Sequence, residues 1–244
     1  MELLLRWLRG DIGEHGDFPY QSMHITTVIV IAICLLLLAL LAKSNISDQK
    51  KRKILNTIAI FQLSFEVIWR LIFYFVNNYS LVNLYPMYPC NLNAIIVPIL
   101  CLTNNTKGKK IFYLFSFVGG IITLFVPNGI FYRTVFVFPI LKSILQHTGI
   151  LIIPVFEYFA NYFKPSVKDF PYMMICLLIT FINSGIIAPR LGLKGDFLFL
   201  DMGIPFVIEG VSQVYPMLIF TILCLFVLSI IVNIQEFISV IKKH

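Results

Sequence analysis

Residues 24–42 read HITTVIVIAICLLLLALLA, and no Asp, Glu, Lys, Arg, Gly or Pro interrupts them. As a helix rising ~1.5 Å per residue, this run covers about 28 Å, close to the ~30 Å hydrocarbon core of a bilayer. A core helix of a soluble protein would show a polar face, and this run has none. Lipid supplies no hydrogen-bond partners, so a spanning backbone must be a helix or part of a closed barrel. The run lacks the alternation of a barrel strand. It reads as a transmembrane helix.

Six further runs share its character, at roughly Ile54–Val76, Met87–Thr103, Lys110–Val126, Thr134–Tyr158, Pro171–Ala188 and Gln213–Ile234. The predicted fold class is therefore all-α: a polytopic transmembrane bundle of about seven spans. Composition agrees. Charged residues make up 13% of the 244 and apolar residues 59%, with a mean hydropathy of +0.88. A soluble domain is nearer ~25% charged and 45–50% apolar. Two segments follow, a leader at 1–23 and a seven-helix transmembrane domain at 24–244. The leader carries Glu2, Asp11, Glu14 and Asp17 and does not read as a cleavable signal. Its first nine residues, MELLLRWLR, suit either an interfacial helix or a loosely ordered arm.

The net charge of +7 sits between the apolar runs, so it reports topology rather than nucleic-acid binding. Lys43 and the group Lys50 to Lys53 follow the first run; Lys107, Lys109 and Lys110 follow the third; Lys164 and Lys168 follow the fifth; Lys242 and Lys243 end the chain. The alternate connections are poor in lysine and arginine. Cytoplasmic odd loops, a cytoplasmic C-terminus and an outside N-terminus are expected. The abundance of Ile, Phe, Asn and Lys points to an AT-rich bacterial genome, and so to a multi-pass protein of the cell membrane.

Polar residues inside apolar runs are costly unless paired or facing a wet cavity, so they are the candidates for function. Glu66 and Arg70 stand at i, i+4 around Trp69, either as a self-satisfied pair or as the wall of an internal site. The third run opens Tyr85-Pro86-Met87-Tyr88-Pro89-Cys90-Asn91-Leu92-Asn93. With Pro89 as the first helical residue, Cys90 sits in the first turn, where the helix dipole favours a thiolate. It is either a nucleophile flanked by the Asn91 and Asn93 amides or a buried thiol in a proline-shaped turn. Lys142, Gln146 and His147 lie in the fifth run, His147 as a working base or as hydrogen-bonded structure. His24 opens the first run, and Asn183 in the sixth needs a partner. Cys90 and His147 are the minimal apparatus for acyl transfer. For them to meet, the fifth helix must start late, near Pro139, or the third must begin deep. No CxxC or disulfide framework is present, and no cofactor or metal is expected.

In this order and spacing the chain resembles the YwaF-like family of bacterial integral membrane proteins, relatives of a eukaryotic multi-pass phospholipid acyltransferase. The residues that carry the resemblance are Ser22-Met23-His24-Ile25, Glu66-Val67-Ile68-Trp69-Arg70, Tyr88-Pro89-Cys90-Asn91-Leu92, Gln146-His147, Asn183, Gly195-Asp196-Phe197-Leu198-Phe199-Leu200 and Val214-Tyr215-Pro216. It departs from the family at Tyr88-Pro89, where a more polar run is usual. The resemblance implies seven helices and a Cys90–His147 acyl-transfer pair. The expected partners are a membrane phospholipid or acyl-lipid substrate and the bilayer, with no nucleic acid and no obligate protein partner. A transporter with a polar path through Glu66, Arg70, Lys142 and His147 is the alternative. A receptor-like scaffold and a metal site are thinner ones.

Overall fold

The computed structural model of the protein describes residues 1–16, 18–125 and 130–195, together with Phe226, Ile230 and Asn233. The last apolar run, Asp196 to Leu200 and Val214-Tyr215-Pro216 lie outside these, apart from those three residues, which are helical. The described chain is helical. Its elements are α1 (Glu2–Arg9), α2 (Ser22–Lys43), α3 (Asp48–Val76), α4 (Pro89–Leu102), α5 (Thr106–Phe125), α6 (Phe138–Phe159), α7 (Phe170–Phe181) and α8 (Ala188–Arg190). A π-helical turn, Ile182–Ile187, joins α7 to α8 into one rod. Among the described residues, five helices are long and apolar enough to cross a membrane: α2, α3, α5, α6 and the α7–α8 rod. α4 is apolar but has only 14 residues. At ~1.5 Å per residue it covers about 21 Å, short of the ~30 Å core.

α2 matches its apolar run to within two residues and turns almost all of it outward. Ile29, Ile33, Leu36, Leu37 and Leu40 are exposed, and only His24, Ile31 and Ala42 are buried. An exposed aliphatic face of this length is what lipid covers. α3 begins six residues before its apolar run, after Ser47, so Lys50 to Lys53 lie on its first turns rather than in a loop. Asp48 in that first turn suits the positive end of the dipole and pairs with Arg52 at 3.3 Å. α6 begins at Phe138 with Pro139 in its first turn, four residues later than the run suggests. The missing turn is extended: Gly16 and Phe18 donate to Tyr132 and Phe131 oxygens, and Thr134 to that of Glu14. These bonds tie the described leader residues to 131–134. Gly10, at φ +79°, ends α1, and its carbonyl-capping turn lets Asp11 donate to the Arg6 oxygen at 2.8 Å. Trp7 then packs on Phe138 and donates to the Phe136 oxygen at 2.9 Å.

The main core lies where α3, α4, α5, α6 and α7 meet. Leu55, Ala59, Val97, Leu100, Phe112, Tyr113, Ile153, Phe156 and Met173 are buried there. The connections α2–α3, α4–α5 and α6–α7 gather at one end of this bundle. Tyr162 donates to Asp48 at 2.6 Å, Lys110 to Asp169 at 2.7 Å, and Lys43 sits over the Phe159 ring. Burial and the Asp48 hydrogen bond push the Tyr162 phenol up to about 12. A phenol raised in the folded state contributes below the ordinary phenol range and loses that contribution only as pH climbs through about 12, so this tie holds throughout physiological pH. Lys43, Arg52 and Lys110 therefore lie together at this end, while Arg9 and Arg133 pack at the other, on Val76 and Gly13. Lys109 is a correction to the expected charge pattern. It is 2% exposed inside the bundle, paired with Glu157 at 2.7 Å.

Candidate active site

At the opposite end, α3, α4 and α6 pack against one another and bring most of the candidate residues into one connected cluster. α3 supplies Gln62, Glu66, Trp69 and Arg70. Glu66 is 2% exposed and receives three side-chain donors: Gln62 Nε2 at 3.4 Å, Trp69 Nε1 at 2.9 Å and Arg70 Nη1. The predicted Glu66–Arg70 pair therefore forms. Arg70 also reaches the Leu84 oxygen at 3.2 Å, tying the 81–84 turn to α3, while its Nη2 has no hydrogen-bond partner among the described residues.

α4 starts at Pro89, as its sequence predicts, and places Cys90 in the first turn. Tyr88 leads in with extended backbone, and the Leu92 N–H is the first to find a helical partner, the Tyr88 oxygen at 3.1 Å. The Cys90 and Asn91 N–H groups before it precede the first i→i−4 bond of the helix. Asn183 shapes this lead-in from the π-helical turn. Its Nδ2 donates to the Pro86 oxygen at 2.8 Å, and its Oδ1 accepts from the Tyr85 hydroxyl. A π-helical turn bulges toward the neighbouring helix, which lets Asn183 reach across.

α6 supplies Lys142, Gln146 and His147. Asn91 Oδ1 is the hub: it accepts from Gln146 Nε2 at 2.6 Å, from Lys142 Nζ at 3.4 Å and from the Cys90 thiol at 3.9 Å. Asn91 thus shows Cys90 a carbonyl oxygen, an acceptor, rather than its amide N–H. Asn93 is 2% exposed, with its Oδ1 unpartnered among the described residues. His147 Nδ1 lies 2.7 Å from the Ser143 oxygen, so Nδ1 carries the proton and Nε2 keeps its lone pair. Among the described residues no hydrogen bond joins Cys90 to His147. The Asn91–Gln146 bond sets their neighbours level, and α6 starts at Phe138, next to the expected Pro139.

His24 lies elsewhere. Its Nδ1 accepts from the Tyr20 N–H at 3.0 Å and its Nε2 donates to the Leu124 oxygen at 2.7 Å, pinning α2 to the end of α5. Both ring nitrogens are occupied by backbone. Sequence reasoning passed over Gln62 and Gly149. A Cβ on Gly149 would strike the Gln62 amide, so the glycine is what admits Gln62 to Glu66. Gly149→Ala is expected to cost about 1–3 kcal/mol through this overpacking, read as a lower melting midpoint in detergent, and a midpoint equal to wild type would refute the close approach. The signal for it lay in a glycine two residues beyond His147, within a helical run.

No curated protein and no solved structure matches this chain. A family model does match, over residues 19–232, from the end of the leader into the last apolar run. That range takes in the whole cluster, and the chain belongs to the TMEM164 family of membrane proteins.

Proposed function

We propose that the protein is a membrane-embedded acyltransferase that moves an acyl chain from a phospholipid through a thioester on Cys90. The observation that carries the reading is the Asn91–Gln146 bond. It sets the first turn of α4 level with the His147 turn of α6, and His147 holds the tautomer a base needs. The likeness of the Cys90 and His147 segments to YwaF-like proteins and their eukaryotic acyltransferase relatives supports it. By the positive-inside rule the basic end faces the cytoplasm and the Cys90 end faces out.

His147 Nε2 takes the thiol proton, and Sγ attacks the ester carbonyl. The carbonyl oxygen gains charge, which an N–H donor at the start of α4 would stabilise. The ester C–O bond breaks, the departing lipid alkoxide takes the proton back from His147, and the acyl group stays on sulfur. In the second half, His147 removes the proton of an acceptor hydroxyl, that oxygen attacks the thioester, and Cys90 leaves and is reprotonated.

Intact-protein mass spectrometry after incubation with phospholipid vesicles tests this. A fatty-acyl adduct that maps to Cys90, is released by hydroxylamine and is missing from Cys90→Ala is the expected result. A wild-type protein of unchanged mass overturns the reading. Substrate-dependent flux in proteoliposomes, surviving Cys90→Ala and lost in Glu66→Gln, would instead mark a transporter.

A further inference from the structure

Three cationic or anionic groups crowd the Cys90 cluster, and their charges do not cancel. Glu66 is matched by Arg70. Lys142, one turn before Gln146 on α6, forms no ion pair with any described carboxylate. Its Nζ lies 4.2 Å from the centre of the Trp69 ring, whose N–H is already given to Glu66. Among the described residues its one hydrogen bond is the long one, 3.4 Å, to Asn91 Oδ1. An ammonium in a transmembrane helix with an aromatic face and one amide oxygen for company is poorly compensated, and such residues mark sites where a negative charge arises. The neighbouring group able to become an anion is the Cys90 sulfur. Cys90 hydrogen-bonds to the same Asn91 oxygen, so Sγ and Nζ are separated by less than the sum of those two contacts, and each lies within electrostatic reach of the other.

We infer that Lys142 is a positioning residue, the counter-ion of the Cys90 thiolate, held in reserve on Trp69 and Asn91 until the thiol gives up its proton. The inference rests on the reading of Cys90 as the nucleophile and adds the group that makes its anion affordable in lipid. While the thiol is neutral, Lys142 shares Asn91 Oδ1 with the S–H. When the proton leaves, the S–H bond to that oxygen is lost, and the ammonium has a unit charge to face. Among the described residues Glu66 from α3 also faces the sulfur, and Glu66 and Arg70 from α3 and His147 from α6 lie within electrostatic reach of Lys142. Glu66 is already engaged by three donors, and Arg70 is held at Glu66 and Leu84.

The test needs no lipid substrate, so its failure is distinct from failure of acyl transfer. Iodoacetamide, a neutral probe, alkylates thiolates. Its rate at Cys90 is read by peptide mass spectrometry near neutral pH in wild type, Lys142→Gln and Lys142→Arg. Glutamine keeps a donor for Asn91 and removes the charge; arginine keeps the charge. The expected result is a rate about tenfold lower in Lys142→Gln, recovering as pH is raised, with Lys142→Arg within about threefold of wild type. A Lys142→Gln rate within about threefold of wild type overturns the inference, as does an equal loss in both variants. Should Lys142→Gln fail to fold, Lys142→Met takes its place: a loss of about tenfold with Lys142→Arg near wild type supports the counter-ion, and a wild-type rate in Lys142→Met refutes it.

Discussion

Lys109→Met is expected to destabilise the bundle by about 3–5 kcal/mol, because it leaves Glu157 charged and without its cation in a site sealed from water. Glu157 is 1% exposed on α6 and Lys109 2% exposed on α5. The carboxylate also accepts from the Tyr113 hydroxyl at 3.0 Å, and the ammonium donates to Asn104 Oδ1 at 2.8 Å. All the strong groups are matched, so the cluster ties α5, α6 and the α4–α5 turn together. Lys109→Met/Glu157→Gln should recover most of the loss. It removes both charges and leaves Tyr113 an acceptor. Denaturant unfolding of the detergent-solubilised protein measures both. A single variant within about 1 kcal/mol of wild type would mean that the pair contributes nothing beyond neutral packing.

His147→Gln is expected to slow acylation of Cys90 by about 10²–10⁴-fold, the usual worth of a positioned general base. At 1.36 kcal/mol per decade this is about 2.7–5.4 kcal/mol of barrier. Glutamine can still donate to the Ser143 oxygen, so the local helix is preserved, but it offers no basic nitrogen to the thiol. The measurement is the initial rate of the hydroxylamine-sensitive adduct. Alkylation of the same cysteine at high pH, where no base is needed, should stay near wild type. Adduct formation at the wild-type rate would assign His147 to structure alone and leave proton removal to another group.

The helices were legible because lipid enforces a simple code, and the departures from the code mark where protein replaces lipid. α2 follows its run almost to the residue because its surroundings are hydrocarbon. α3 extends six residues earlier because its first turns, Asp48 to Lys53, are polar all round, which a search for apolar runs cannot see. α6 starts late because residues 131–134 pair with the leader, a long-range contact with no local sign. Within the site, the Glu66–Arg70 pair could be read from i, i+4 spacing and the placement of Cys90 from Pro89. The meeting of Asn91 with Gln146 could not, since 55 residues separate them. The Lys109–Glu157 pair was hidden for a different reason. Lys109 stands among Lys107 and Lys110, and a lysine in such company reads as a loop cation.

That double identity has a consequence in time. The ribosome delivers Lys109 before its partner: Glu157 follows 48 residues later. At ~5–20 residues per second the delay is roughly 2–10 s. During it Lys109 has no acid to pair with and, in the orientation proposed above, adds to the positive charge that holds its connection on the cytoplasmic side as the membrane machinery orients each helix. Once α6 arrives, the same ammonium is drawn inward and becomes a rivet. One residue thus works first as an address and later as a fastener, and a variant at Lys109 is exposed to two separate failures, a helix inserted the wrong way round and a bundle that does not close.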